Sequence, residues 1–266
     1  MNDRLVDRQY LTGVQYASDA NLASRQAIYR FQQPPVRAAA WALDLAVLRG
    51  NERILDVGCG NGMYLAEFAR REHRGAVTGM DLSPGMLSAA RTRSTVSLLV
   101  GDAQRLPFGD GSYDRVLAMH MLYHVPDRDL AISEMRRVLL PDGVVLVLTN
   151  SRRHLQEMNA LIGDVAHEVL GRRNPERAYW RFSSESGDEE LRRHFASVTR
   201  HDARSELVVS EVQPIVDYVA SGWSLAMAPD GGRESVLREV ERRSRAVIEA
   251  DGAFRIRTDV GCFVCR

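Results

Sequence analysis

The 266-residue chain contains no lysine; all 35 of its basic side chains are arginine. That absence removes the Schiff-base lysine of PLP chemistry and the phosphate-gripping lysine of a P-loop. Nor is there a surplus of charge: 35 acidic residues balance the 35 basic ones, and no long run of one sign occurs. A nucleic-acid footprint is therefore not expected, and a small-molecule partner is. Apolar runs stay well short of the ~18 residues that would span a bilayer, and no charged-then-apolar leader follows Met1. With three cysteines, this predicts a reduced, soluble, cytoplasmic protein without a membrane partner. Cys262 and Cys265 have C-x-x-C spacing, but no second pair exists. Their stretch, "FRIRTDVGCFVC", alternates as a strand whose positions three apart point to opposite faces, so no metal is expected.

What is present is a strand and helix alternation beginning at Arg53. "RILDVG", "GAVTGMDL", "VSLLVGDA", "YDRVLAMHML" and "VVLVLTN" read as short buried strands, separated by amphipathic segments at about 63–71, 84–92 and 128–139. That order indicates an α/β fold with parallel strands and crossover helices. Ahead of it, helices at about 20–31 and 36–48, separated by Pro34 and Pro35, predict an N-terminal helical cap over residues 1–48. The main domain is expected over 49–266, with a capping insertion at about 151–190. That insertion comprises a helix at 154–170 and the aromatic loop "GRRNPERAYWRF". The remainder reads as a strand from 197, helices at about 212–221 and 233–250, and a last strand.

"ILDVGCGNG" places Gly58, Gly60 and Gly62 directly after the first strand, where missing side chains allow a tight turn and close approach of a ligand. The dinucleotide fingerprint G-x-G-x-x-G would require glycine at 63, where Met63 stands. Asp56 puts a carboxylate at the head of the turn, a poor neighbour for an anion and a good one for a cationic amino-acid group.

With that motif, the chain resembles the class I S-adenosylmethionine-dependent methyltransferases. Residues 50–150 are similar to the small-molecule enzymes of the ubiquinone and menaquinone biosynthesis type. The resemblance implies a seven-stranded, mostly parallel Rossmann-like sheet of order 3-2-1-4-5-7-6, and S-adenosylmethionine as cofactor. It assigns the ribose to Asp81 in "GMDLSPGML", and the adenine amino group to Asp102 in "GDAQRLPF", with Ala103 beside it. Leu82, Met86 and Met119 complete the expected donor site with Asp56 and the three glycines. The stretch "YASDANLASRQAIYRF" resembles the family's capping segment, which makes Tyr16 and Arg25 candidates to close over the donor, Arg25 at its carboxylate.

"MHMLYHVPD" matches the family region lining the donor's methyl group. Methyl transfer is an in-line displacement in which the protein aligns the nucleophile, and a hydroxyl acceptor also needs a base. His124 and His120 are the candidates; on an extended strand their four-residue separation, ~13 Å, is too long for joint metal ligation. Tyr123 stands where many relatives carry a second histidine. Tyr123, Tyr179, Trp180, Phe182 and Trp223 are candidate acceptor walls. The expected reaction is methyl transfer to an O, N or C atom of a small molecule, with a quinone-like or secondary-metabolite acceptor by analogy. A non-catalytic donor-binding scaffold, or an enzyme acting on RNA or protein, stands as the alternative.

Overall fold

The computed structural model describes residues 4–171, 180–222 and 232–266. Eight strands, β1 (Gln32–Gln33), β2 (Ile54–Val57), β3 (Val77–Asp81), β4 (Ser97–Val100), β5 (Tyr113–Met119), β6 (Leu139–Asn150), β7 (Val198–Val209) and β8 (Phe254–Cys265), form one sheet. The helices are α1 (Arg8–Tyr10), α2 (Ala20–Ala27), α3 (Ala38–Leu45), α4 (Met63–Arg70), α5 (Pro84–Arg91), α6 (Arg128–Val138), α7 (Gln156–Leu170), α8 (Gly187–Arg192), α9 (Gln213–Ala220) and α10 (Gly232–Asp251). Among the described residues no helix is long and apolar enough to cross a membrane.

The sheet order is β1-β7-β8-β6-β5-β2-β3-β4. Counting from β2, this is the expected 3-2-1-4-5-7-6; the difference is the extra strand at the β7 edge. There Gln32 and Gln33 pair antiparallel with Leu207 and Glu206, covering backbone groups that an open edge would leave unpaired. β2 pairs in parallel with β3 and β5, β3 with β4, and β5 with β6, whereas β8 lies antiparallel between β6 and β7. β6 begins at Leu139 and runs through the Pro-Asp-Gly segment expected to close the preceding helix, with a register shift against β5 between Tyr113 and Arg115.

Side-chain alternation sorts the strands into two apolar layers. Leu55, Val57, Val145 and Val147 face the layer containing Ala131, Ile132 and Met135 of α6. Ile54, Leu117 and Leu146 face Ala42 and Leu43 of α3 and Tyr64 and Phe68 of α4. The two C-terminal cysteines obey the same rule: Cys265 belongs to the first layer and Cys262 to the second, both buried and free. Over the β7 and β8 half, α7, α9 and α10 pack together around Ile162, Ile215 and Val240, with Ile28 from the N-terminal segment inserted among them.

The N-terminal segment is tied to the front of α5. Pro84 occupies the first turn of that helix, where its missing N–H is no loss. Ser83 caps it by accepting from the Met86 N–H at 3.2 Å, and its hydroxyl also donates to the Tyr16 carbonyl at 2.6 Å. Gly85 is part of the same contact, because a Cβ there would sit 2.0 Å from the Ala17 carbonyl oxygen. Gly85→Ala should therefore push residues 16–17 off the sheet end. Faster proteolytic cutting near residue 17, with the melting temperature of the rest little changed, is the expected result; an unchanged cutting pattern would contradict this packing.

Candidate active site

The parallel strands β2, β3, β4 and β5 all end toward a cavity of about 930 Å³, near the upper end of the range that ligand pockets occupy. Gly58, Gly60 and Gly62 have φ of 71, 54 and 80°, left-handed values that a side chain would strain. Their spatial roles differ. Gly58 lies against Met121, which a Cβ would approach to 2.8 Å; Gly62 lies against the α5 backbone, where a Cβ would come within 3.0 Å of the Ala90 Cα, and is off the cavity wall. At Gly60 a Cβ would make ordinary van der Waals contact with Leu22, at 3.5 Å, and the residue lies on the cavity wall.

Asp81 closes the turn from the side. Its Oδ2 accepts the Gly60 N–H at 2.8 Å and its Oδ1 the Ser83 N–H at 2.8 Å, while burial pushes the carboxyl upward against those bonds. Each oxygen has a second lone pair, so a carboxylate held this way can accept two neighbouring hydroxyls. Asp102 accepts the Gln104 N–H at 2.9 Å and has Arg8 at 3.5 Å. Both acids line the cavity.

Asp56 sits elsewhere than its place in the motif suggested. Alternation along β2 turns it with Ile54 toward the α4 layer, where it is fully buried, does not line the cavity, and has no hydrogen-bond partner on either oxygen among the described residues. Burial, with Asp81 adding to it, raises its carboxyl to about 8, so at pH 7 it is protonated rather than a charge at the head of the turn. The Tyr64 hydroxyl in the same layer is also buried, without a partner among the described residues.

Leu82, Met86, Ala103, Met119, Tyr16, Arg25 and Tyr123 all reach the cavity. Arg25 donates from Nη1 to the Ser221 carbonyl at 2.7 Å and lies 5.7 Å over the Tyr16 ring. Of the other aromatic candidates, Phe182 is buried in the α6 layer and Trp180 is 43 % exposed and not on the cavity wall. Tyr179 and Trp223 lie outside the described residues.

The segment between the histidines is not an extended strand. β5 ends at Met119, His120 takes a left-handed φ of 55°, and Leu122–His124 form a 3-10 turn. Among the described residues no cluster of three metal-ligating side chains forms. His124 Nδ1 is 2.9 Å from the Leu5 carbonyl, which can only accept, so Nδ1 carries the proton. Nε2 then accepts from the Tyr16 hydroxyl at 3.0 Å. Both nitrogens thus hold the N-terminal segment, and burial keeps the ring neutral, near 4. His120, lowered to about 4 by burial, has no ring hydrogen bond among the described residues and lines the cavity.

His154 was not a sequence candidate, because it reads as the first residue of a helix. It lies instead in the turn after β6, ahead of Leu155 at φ 54°, and α7 starts at Gln156. Its Nδ1 accepts the Asp259 N–H at 3.1 Å, so its Nε2–H faces the Tyr29 hydroxyl at 2.8 Å. The available signal was its position four residues after a strand end, since strand C-termini line such clefts. Tyr29 and the Asn61–Gln26 pair (3.0 Å) were missed because the N-terminal helices meet the glycine turn only in three dimensions.

A parallel sheet with a glycine turn after its first strand and acids at the next two strand ends defines a Rossmann-like nucleoside-binding enzyme. Comparison with known proteins narrows the class. The "Methyltransferase domain" family model matches residues 55–147. Over 182 residues, covering 63 % of this chain and 75 % of the relative, the sequence is 34 % identical to a demethylmenaquinone methyltransferase of Staphylococcus aureus. The fold resembles that of a protein assigned as a methyltransferase from an antibiotic biosynthesis pathway of Anabaena variabilis (TM-score 0.64, 18 % identity, 86 % of this chain and 96 % of that one). It also resembles one assigned as a methyltransferase from Bacillus halodurans (TM-score 0.57, 20 % identity, 87 % and 99 %). The chain belongs to the class I S-adenosylmethionine-dependent methyltransferase family and is an enzyme that methylates small molecules. S-Adenosylmethionine is the methyl donor of that family.

Proposed function

We propose that the donor lies across the ends of β2, β3 and β4, its ribose hydroxyls on Asp81, its adenine beside Asp102 and Ala103, and its amino-acid portion along Gly58 and Gly60. The residues suit this ligand: Gly60, left-handed and without a side chain, lies on the cavity wall, and Asp81 carries two oriented oxygens with unfilled lone pairs. The carrying observation is Asp81, because its two backbone hydrogen bonds aim its remaining acceptors at the cavity. Arg25 is the cation placed for the donor's carboxylate, and Leu82, Met86 and Met119 supply apolar walls. Asp56 acts from beneath the turn rather than by contact.

Bound there, S-adenosylmethionine supplies a methyl group on an electron-poor sulfur. The chain's own residues align the acceptor behind that methyl, exclude water and take up a proton where the acceptor must lose one. The acceptor is a small organic molecule rather than RNA or protein, a reading supported by the balanced charge and by the N-terminal segment folded over the strand ends. By its name, the Staphylococcus aureus relative acts on demethylmenaquinone; a quinone-like or secondary-metabolite acceptor is the class proposed here. A cytoplasmic setting fits the three free, buried cysteines.

Calorimetric titration with S-adenosylmethionine, S-adenosylhomocysteine and NAD tests the donor placement. Binding of both sulfur nucleosides and not of NAD is expected, and binding of NAD alone would overturn it.

His124→Ala separates two roles of that residue. If it holds the cap, as its two hydrogen bonds imply, the variant should release S-adenosylhomocysteine faster by about tenfold, corresponding to ~1.4 kcal/mol of lost hydrogen bonding. A base role would instead lower turnover by ~10² with donor release unchanged. Stopped-flow dissociation and steady-state rates distinguish them.

A further inference from the structure

The part of the cavity beyond the β5 end is chemically distinct from the donor end. His120, Asn150, His154, Tyr29, Gln32 and Thr258 line it. They converge because the sheet places their backbones together. The His120 N–H bonds the Leu148 carbonyl of β6 at 2.8 Å, Asn150 opposes Val260 of β8, the Asp259 N–H holds His154, and Gln32 Nε2 donates to Thr258 at 3.1 Å. At neutral pH none of these six side chains is charged: burial holds His154 at about 3, with His120 contributing to that lowering, and His120 itself at about 4.

The ionic groups that do reach the cavity are paired with other groups or belong to the donor end, as Asp81 and Arg25 do. Arg25 donates to Ser221, Arg37 and Arg70 both pair with Glu67, and Arg8 stands by Asp102. An anionic or ammonium acceptor would lose its hydration at the β5, β6 and β8 ends and gain no counter-charge. A neutral molecule with a hydroxyl would find partners that accept and donate, set among aromatic and thioether side chains such as Tyr123, Tyr218 and Met119.

The three histidines around the cavity differ in one respect. His124 and His154 have both ring nitrogens engaged, whereas the His120 ring has no hydrogen-bond partner among the described residues. His120 also stands between Met119 and Met121, and Met121 packs on Gly58, so it lies where the donor's reactive end and the acceptor compartment meet.

We propose, resting on the donor placement above, that this compartment binds a neutral aromatic hydroxyl and that His120, not His124, receives its proton. The hydroxyl oxygen forms a bond to the methyl carbon as the carbon–sulfur bond breaks with its electron pair remaining on sulfur. The hydroxyl proton passes to the free His120 nitrogen and from there to solvent. The products are the methyl ether and neutral S-adenosylhomocysteine.

A matched set of probes tests this on the full chain saturated with S-adenosylhomocysteine: 1-naphthol, 1-naphthoate and 1-naphthylmethylammonium, which share one ring system and differ in charge. Naphthol should bind at least about tenfold more tightly than either ion. His120→Asn, which keeps a polar side chain that tolerates the left-handed backbone, should weaken naphthol binding. It should also lower methyl transfer from S-adenosylmethionine to naphthol by about 10² or more, with S-adenosylhomocysteine affinity within about twofold of native. Preference for either ion, no binding or methylation of naphthol, or a His120→Asn protein with native rates overturns the proposal. Failure of S-adenosylhomocysteine itself to bind would instead strike the donor placement.

Discussion

Asp81→Ala should weaken S-adenosylhomocysteine binding by on the order of 10- to 100-fold, corresponding to ~1–3 kcal/mol for a lost charge-assisted acceptor in a partly dry site. Two effects contribute. The ribose loses its partner, and the Gly60 and Ser83 N–H groups that Asp81 fixes at 2.8 Å are released, loosening the turn itself. Asp81→Asn separates them, because the amide retains one acceptor oxygen for the turn while losing the ability to accept from two hydroxyls. Calorimetry on both variants, with urea unfolding as control, should show affinity falling in each and stability falling mainly in the alanine protein. Native affinity in Asp81→Ala would remove the ribose from this residue.

The second large effect concerns pH and Asp56. Its carboxyl rises from the ordinary aspartate range to about 8 on folding, because it is buried and near Asp81. A folded-state value above the unfolded one means that the native protein holds this proton more tightly. The associated stability is fully present below pH ~4 and is lost as pH rises through the window up to about 8. Across that window the ligand-free protein should lose several kcal/mol, at ~1.4 kcal/mol for each pH unit crossed. Asp56→Asn, neutral at every pH, should remove most of the slope. A residual slope of the same sign is expected from Asp81, whose carboxyl burial also raises. Denaturant midpoints measured between pH 5 and 8.5 decide the matter. Parallel curves for the native and Asp56→Asn proteins would mean that Asp56 is ionised in the folded chain.

These two acids also mark the division between what the sequence carries and what folding adds. Short apolar runs alternating with amphipathic segments were enough to specify the parallel strands and crossover helices, while the strand order followed from the family resemblance. A buried strand, a crossover helix and the right-handed rule for their connection leave few topologies open. The glycines were legible for the same reason, since left-handed backbone at three alternate positions leaves glycine as the unstrained choice. Asp81 and Asp102 were legible because strand ends in such sheets face the cleft. Local spacing could not say which face of β2 Asp56 occupies, nor that the absence of partners there makes it an acid rather than a charge. The same limit applied to the histidines. In sequence His120 and His124 are two imidazoles four residues apart; in the fold, contacts with Tyr16 and Leu5, more than a hundred residues away, engage one and leave the other facing the cavity. The two-residue edge strand at Gln32 and the pairing of His154 with Tyr29 are of that kind as well. Local pattern determines strands, helices and turns because their hydrogen bonds close within a few residues. The protonation and partners of a buried group depend on which distant segments surround it, and only the packed chain decides that.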